Sequence, residues 1–214
     1  MLRIKVLSDL HTEFLRDHGE SFIAALDPTD IDILVLAGDI LVLKYPDLAS
    51  KIIGWFCKKF EEVIYLPGNH CFYGTSPTTG DRVLKSLEFE FANLTILRAG
   101  KSHEFNHQRI LGDTLWFEDT PDNRDRNNQR MLSDFEVIRD FQPWVWERYE
   151  LARDYLENSI QEGDIVVTHH GPSKKSIHPW YKNSPINGYF CNDFDDLILE
   201  RKPALWIHGH CHRA

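Results

Sequence analysis

Five short segments of this 214-residue chain concentrate the residue types that hold cations and move protons. They are Ser8-Asp9-Leu10-His11, Gly38-Asp39, Gly68-Asn69-His70, Thr168-His169-His170 and Gly209-His210-Cys211-His212. Together they offer two carboxylates, one carboxamide and six imidazoles. Carboxylate, imidazole and amide oxygen suit Mn²⁺, Fe, Zn²⁺ or Co²⁺, whereas a thiolate set would favour a closed zinc site. A carboxylate bridges two such ions at about 3.5–4 Å, and a water held between them loses its proton near neutral pH. The inventory therefore points to two divalent metal ions (Mn, Fe or Zn) and to hydrolysis of phosphate esters.

Each segment closes an apolar, strand-like run. Such runs span residues 2–7, 31–37, 63–66, 165–168 and 205–207, and they read as strands buried on both faces. Helical periodicity separates them. Residues 46–60 carry Leu48, Ile52, Trp55, Phe56 and Phe60 on one face, with Pro46 suited to a first turn. Residues 82–91 form a second helical stretch, and residues 145–160 a third, closed by Gly163. Two or three further short strands are expected within residues 94–117. Strands alternating with helices imply an α/β fold, in which loops at strand carboxyl ends build the site.

Two segments interrupt this pattern. Residues 119–140 open with the polar run Pro121-Asp122-Asn123-Arg124-Asp125-Arg126-Asn127-Asn128 and then turn amphipathic, as a lid or cap on a single domain spanning 1–214 would. Residues 173–190 form a long loop directly after His169-His170.

Composition excludes several classes. The formal charge of −9 and the lack of a Lys/Arg run disfavour nucleic acid as a partner. No apolar stretch reaches the ~20 residues of a membrane span. The run Met1 to Lys5 leads directly towards Asp9, so no signal peptide is expected. Cys57, Cys71, Cys191 and Cys211 form no CxxC pair and read as free thiols of a cytoplasmic protein.

The blocks Asp-x-His, Gly-Asp, Gly-Asn-His, a strand-terminal His and Gly-His-x-His occur here in that order. They resemble those of the calcineurin-like metallophosphoesterase superfamily. The wording Leu66-Pro67-Gly68-Asn69-His70 with Tyr73-Gly74, and Trp206-Ile207-His208-Gly209-His210-Cys211-His212, is similar to its small bacterial and phage-type members. The resemblance implies a four-layer fold, two mixed β-sheets packed as a sandwich flanked by helices. It implies that Asp9, His11 and His212 hold one metal, that Asn69, His169 and His210 hold the other, and that Asp39 bridges both. It further implies that His70 is catalytic, steadying developing charge and protonating the leaving oxygen, while a metal-bound hydroxide attacks phosphorus. The adjacent His170 is a substrate-side candidate.

Departures from that pattern bear on specificity. Phosphoprotein phosphatases of the superfamily follow Gly-Asp with a second Asp and an Arg, and Asn-His with Glu. Here Ile40-Leu41-Val42 and Cys71-Phe72 stand in those places. The acidic partner of the catalytic His and the phosphate-clamping Arg of that subgroup are missing. Arg124, Arg126, Arg130, Lys174 and Lys175 are candidate replacements from the loops. The reading favours phosphodiesters, including cyclic nucleotides, with Phe72, Tyr73, Trp180 and Tyr181 available to stack on a base. Its alternatives are a small-molecule phosphomonoesterase and a non-catalytic scaffold. The substrate is a phosphorylated small molecule or nucleotide. Relatives continue with more strands past the last motif, whereas Ala214 follows His212 by two residues.

Overall fold

The computed structural model describes residues 2–212, so Ala214 lies outside the described residues. Strands β1 (Ile4–Leu7), β2 (Ile33–Ala37), β3 (Val63–Leu66) and β4 (Leu94–Ile96) form one sheet in that order, parallel throughout. Strands β5 (Ser102–Phe105), β6 (Gln108–Asp113), β7 (Ile165–Thr168) and β8 (Leu205–Ile207) form the second, also in sequence order. Only the β5–β6 pair is antiparallel, so the mixed character is confined to this sheet.

The period of two in a strand sorts its side chains between layers. Ile33, Val35 and Ala37 of β2 and Ile64 and Leu66 of β3 cluster with Ile110, Ile165, Val167 and Ile207 of the other sheet. That cluster is the seam of the sandwich. The intervening residues, Leu34, Leu36, Val63 and Tyr65, join instead a cluster with the helices α2 (Pro46–Lys59) and α3 (Pro77–Glu90). Leu111 and Val166 likewise join Val145, Tyr149 and Leu156 of a long helix, Trp144–Ser159, that lies against β6. Every residue of β2 is buried, which is why it reads as one uninterrupted apolar run.

Smaller helices complete the chain: α1 (Glu20–Ala25) before β2, α4 (Pro121–Arg124), α5 (Arg126–Gln129) and α6 (Asp134–Val137) before the long helix α7 (Trp144–Ser159), and α8 (Asp195–Arg201) before β8. The sequence reading misses α1 and α8, each only two turns or less. It also starts α3 five residues late. The Ser76 hydroxyl accepts from Thr79 N–H and Pro77 takes the first turn, but two threonines and Gly80 then weaken the helical signal. Gly80 is a packing requirement, since a Cβ there would sit 2.6 Å from the Phe72 ring. Gly163 does not close α7, which ends four residues earlier at Ser159.

Residues 119–140 are folded onto the core rather than extended from it. Asn123 and Asp134 are buried, and Phe135 meets the rings of Phe117, Phe141 and Tyr189. Among the described residues no helix is long and apolar enough to cross a membrane.

Candidate metal centre

The carboxyl ends of β1, β2, β3, β7 and β8 deliver the five segments to one rim. Backbone hydrogen bonds stitch them together there: Asp9 N donates to Gly38 O (3.0 Å), His11 N to Asp39 O (2.9 Å) and Gly209 N to His169 O (3.1 Å). Asp9, His11, Asp39, His210 and His212 all adopt left-handed backbone, with φ of 54°, 45°, 53°, 67° and 50°. Each such residue costs about 1–2 kcal/mol relative to right-handed geometry. Strain of this kind persists where surrounding structure enforces it, and it gathers at functional sites.

Three groups of donor atoms result among the described residues; one is His11, Glu13 and His70, and the other two are built from the expected ligands. In the first of these two, Asp9, His11 and His212 place one ligand atom each within 4.8 Å of the others. His212 Nε2 lies 3.4 Å from His11 Nε2 and 3.4 Å from Asp9 Oδ1. In the second, Asp39, His169 and His210 meet the same limit. Asn69 joins them through Oδ1, 3.1 Å from His169 Nε2. The Asp39 and His169 side chains leave no room for a Cβ at the neighbouring glycines. A Cβ at Gly68 would sit 2.2 Å from Asp39 Oδ1, and one at Gly38 would sit 2.1 Å from His169 Nδ1.

The second group is built for a cation. His169 Nδ1 faces the Ala37 carbonyl at 3.0 Å, so this nitrogen carries the proton and Nε2 presents a lone pair in the neutral ring. That lone pair converges with Asp39 Oδ2 at 3.2 Å and with Asn69 Oδ1. Three acceptors facing one point repel unless positive charge sits among them. Asn69 cannot turn its donor inward, because its Nδ2 donates to Asp134 Oδ1 (2.9 Å), which also accepts from Tyr73 OH (2.6 Å). Asp39 Oδ2 and His210 Nε2 are buried with no hydrogen-bond partner among the described residues. The residues present thus fit a divalent ion.

In the protein's own electrostatics a proton on His169 Nε2, facing Asp39 Oδ2, supplies that positive charge, and a cation bound there would replace it. Burial works against charge on His169, but the Asp39 carboxylate outweighs it and the imidazole is pushed up to about 9. Burial likewise disfavours ionised Asp39, yet His169 holds its carboxyl down to about 2. His210 goes the other way: burial first, then the neighbouring imidazoles, push it well below the ordinary histidine value. It stays neutral, with a lone pair available.

His70 sits beside these groups with its backbone N–H on Asp39 Oδ1 (2.9 Å) and its ring stacked on Tyr73 at 4.0 Å. Its Nδ1 lies 3.6 Å from Glu13 Oε1, and the same oxygen is 3.5 Å from His11 Nδ1. Burial opposes ionisation of Glu13, but the imidazoles of His11 and His70, within 3.6 Å, hold it at about 2. An acidic partner for His70 is therefore present, supplied by the loop after β1 instead of the position used by phosphoprotein phosphatases. Sequence reasoning missed Glu13 and Asp134. The first carried a faint signal, an acid two residues past His11; the second was a single acid in an amphipathic stretch.

The remaining candidates lie elsewhere. His170 has no exposed surface and packs behind His210, ring centroids 4.3 Å apart, with Nδ1 at 3.2 Å from Thr114 O. Burial pushes it down to about 3, so it is a neutral wall of the centre and not an open face. Arg124 pairs with Asp119, Lys174 with Asp193 and Lys175 with Asp195, while Arg126 and Arg130 line a separate surface pocket with Phe135 and Glu136. Among the described residues no hydrogen bond or ion pair links an Arg or Lys to the centre. Phe72 is core, whereas Tyr181 is half-exposed and Trp180 largely so.

A family model described as calcineurin-like phosphoesterase matches residues 2–214. No curated protein matches the chain significantly. Among solved structures, the fold is similar to phosphopantetheinyl hydrolase (PptH) from Mycobacterium tuberculosis, with a TM-score of 0.73 at 16% identity, covering 98% of this chain and 83% of that one. It is also similar to TT1561 of Thermus thermophilus, with a TM-score of 0.60 at 16% identity, covering 97% of this chain and 81% of that one.

Proposed function

Because the chain belongs to the calcineurin-like phosphoesterase family, whose members hydrolyse phosphoester bonds with divalent metal ions, we propose that it is a dinuclear phosphodiesterase. The observation that carries this reading is the pair of adjoining donor groups, Asp9/His11/His212 and Asp39/His169/His210 with Asn69. In the proposal each group holds one ion and Asp39 is shared. Ions held by these residues would supply Lewis-acid neutralisation of phosphoryl oxygens and lower the pKa of a bound water.

The chain's own residues do the rest. Asp39 ties the two groups together, since its backbone carbonyl accepts from His11 N (2.9 Å) while its Oδ2 faces His169. Glu13, ionised, turns Nδ1 of His70 towards itself, which leaves Nε2 on the opposite edge of the ring to give a proton to the departing ester oxygen. His170 supports His210 from behind and makes no substrate contact in this scheme. The preference for diesters rests on charge. A diester carries one negative charge and a monoester close to two, and no Arg or Lys among the described residues joins the centre to balance the second.

Reloading chelator-stripped protein with Mn²⁺ tests this directly. The expected result is two ions per chain by elemental analysis, and hydrolysis of a phosphodiester faster than of the matching monoester. With both sites at metal about 100-fold over their Kd, a rise in Tm of about 10–20 °C is also expected. One ion per chain, or faster monoester cleavage, would overturn the corresponding half of the proposal.

The Asp134 carboxylate supplies a second test. Asp134→Leu removes the acceptor that orients Asn69, and metal affinity is expected to fall about 10–100-fold. Calorimetric titration would show it. Unchanged affinity would mean that Asn69 is aimed by something else.

A further inference from the structure

A cavity of about 340 Å³ opens against the last motif, lined by His210 and His212 together with Ile177, Tyr181, Ile186 and Phe190 of the preceding loop. It is continuous with the metal centre, because the two histidines belong to both. Resting on the phosphodiester reading above, we propose that this cavity receives the ester substituent that stays on phosphorus, and that this substituent is a neutral aromatic group.

Position argues for the retained substituent. His70 does not line the cavity. The leaving oxygen must lie within reach of His70, so a group seated beside His210 and His212 is the other ester arm.

Chemistry argues for a neutral ring. No Asp, Glu, Lys or Arg among the described residues lines the cavity. Its planar walls are already set in stacking geometry, with Phe190 on His210 at 4.7 Å and 28°. Two polar side chains of the wall, Asn187 and His178, are engaged within the loop. Asn187 Nδ2 donates to the carbonyls of Tyr181 (2.7 Å) and Lys182 (3.2 Å), and His178 Nδ1 accepts from Trp180 N (3.2 Å). A charged ring would find no opposite charge there among the described residues, and an unpaired charge in a binding site is costly. Tyr181, a wall of the cavity, is 50% exposed, apolar surface that a bound ring would cover.

The test holds the leaving group constant. Methyl 4-nitrophenyl phosphate and phenyl 4-nitrophenyl phosphate release the same phenolate and differ only in the retained arm. With Mn²⁺-loaded protein, kcat/KM for the phenyl ester is expected to exceed that for the methyl ester by about tenfold or more, mainly through KM. Tyr181→Ala together with Ile186→Ala is expected to collapse that ratio towards one. A ratio near one in the wild type, or one unmoved by the double substitution, would overturn the inference. Binding of phenylphosphonate against methylphosphonate, read by tryptophan fluorescence, judges the cavity without turnover. Absence of cleavage of either ester alongside preferential phenylphosphonate binding would overturn the phosphodiester reading and leave the aromatic cavity standing. Equal binding of the two phosphonates would overturn the cavity assignment.

Discussion

Asp39→Asn is expected to strip both ions from the protein and to lower kcat/KM by about 10³-fold or more, the scale on which loss of a central charge-stabilising element acts. The expectation follows from where Asp39 stands. It is 1% exposed, its Oδ2 faces His169 at 3.2 Å, and its Oδ1 holds the His70 N–H at 2.9 Å. The amide is nearly the same size, and its oxygen can keep the bond to His70. The substitution therefore tests charge more than packing. Without the carboxylate, the imidazoles and Asn69 oxygen offer only neutral ligands to the second ion. Asn69→Ala, by contrast, removes one neutral ligand from one group and is expected to cost far less. Metal content and kcat/KM measured side by side separate the cases. Equal and mild losses in both variants would remove Asp39 from its bridging role.

His70→Ala is expected to lower the rate by about 10²–10⁴-fold for esters with poor leaving groups, the usual yield of a positioned general acid. For 4-nitrophenyl esters, whose phenolate departs without a proton, the loss should be much smaller. That contrast is the diagnostic, because a merely structural defect would slow both substrates alike. Glu13→Gln extends the argument. Glu13 reaches Nδ1 of His70 at 3.6 Å and does not approach the leaving oxygen through any contact in the structure, so it is a positioning residue. Its loss is expected to reproduce the leaving-group dependence at about tenfold, weaker than an acid in direct hydrogen bond to its histidine would show. A leaving-group series in the wild type and both variants reads this out. Parallel lines for all three would take the proton donor away from His70.

Parts of the fold were legible because burial on both faces writes a strand as a continuous apolar run. The strands β3 and β7, buried throughout, coincide with such runs end to end, and β2, also buried throughout, begins two residues inside its run; β1 and β8 lie at sheet edges and expose Val6 and Leu205, so they are not buried on both faces as expected. Helix ends were harder. Ser76 and Pro77 start α3 through capping, yet Thr78, Thr79 and Gly80 dilute the periodicity until Arg82. Residues 119–140 read as a polar run turning amphipathic, a lid or cap, and in the structure Asp134 and Phe135 tie them to the centre and the core. Nothing in a single polar stretch reveals that one of its acids is buried, since burial depends on what arrives from elsewhere in the chain.

By itself the sequence determined the donor inventory, its order and its placement at strand ends, because those follow from residue types and from period-two burial. The tertiary structure decided everything that depends on distance between remote segments. It set His169, Asn69 and Asp39 around one point, brought Glu13 to His70 across a gap of 57 positions, and turned His170 inward behind His210. It also opened the cavity beside His210 and His212. Adjacent residues such as His169 and His170 carry the same chemistry on paper. Only the packing that buries one against Asp39 and the other against Trp116 makes the first pushed up to about 9 and the second pushed down to about 3.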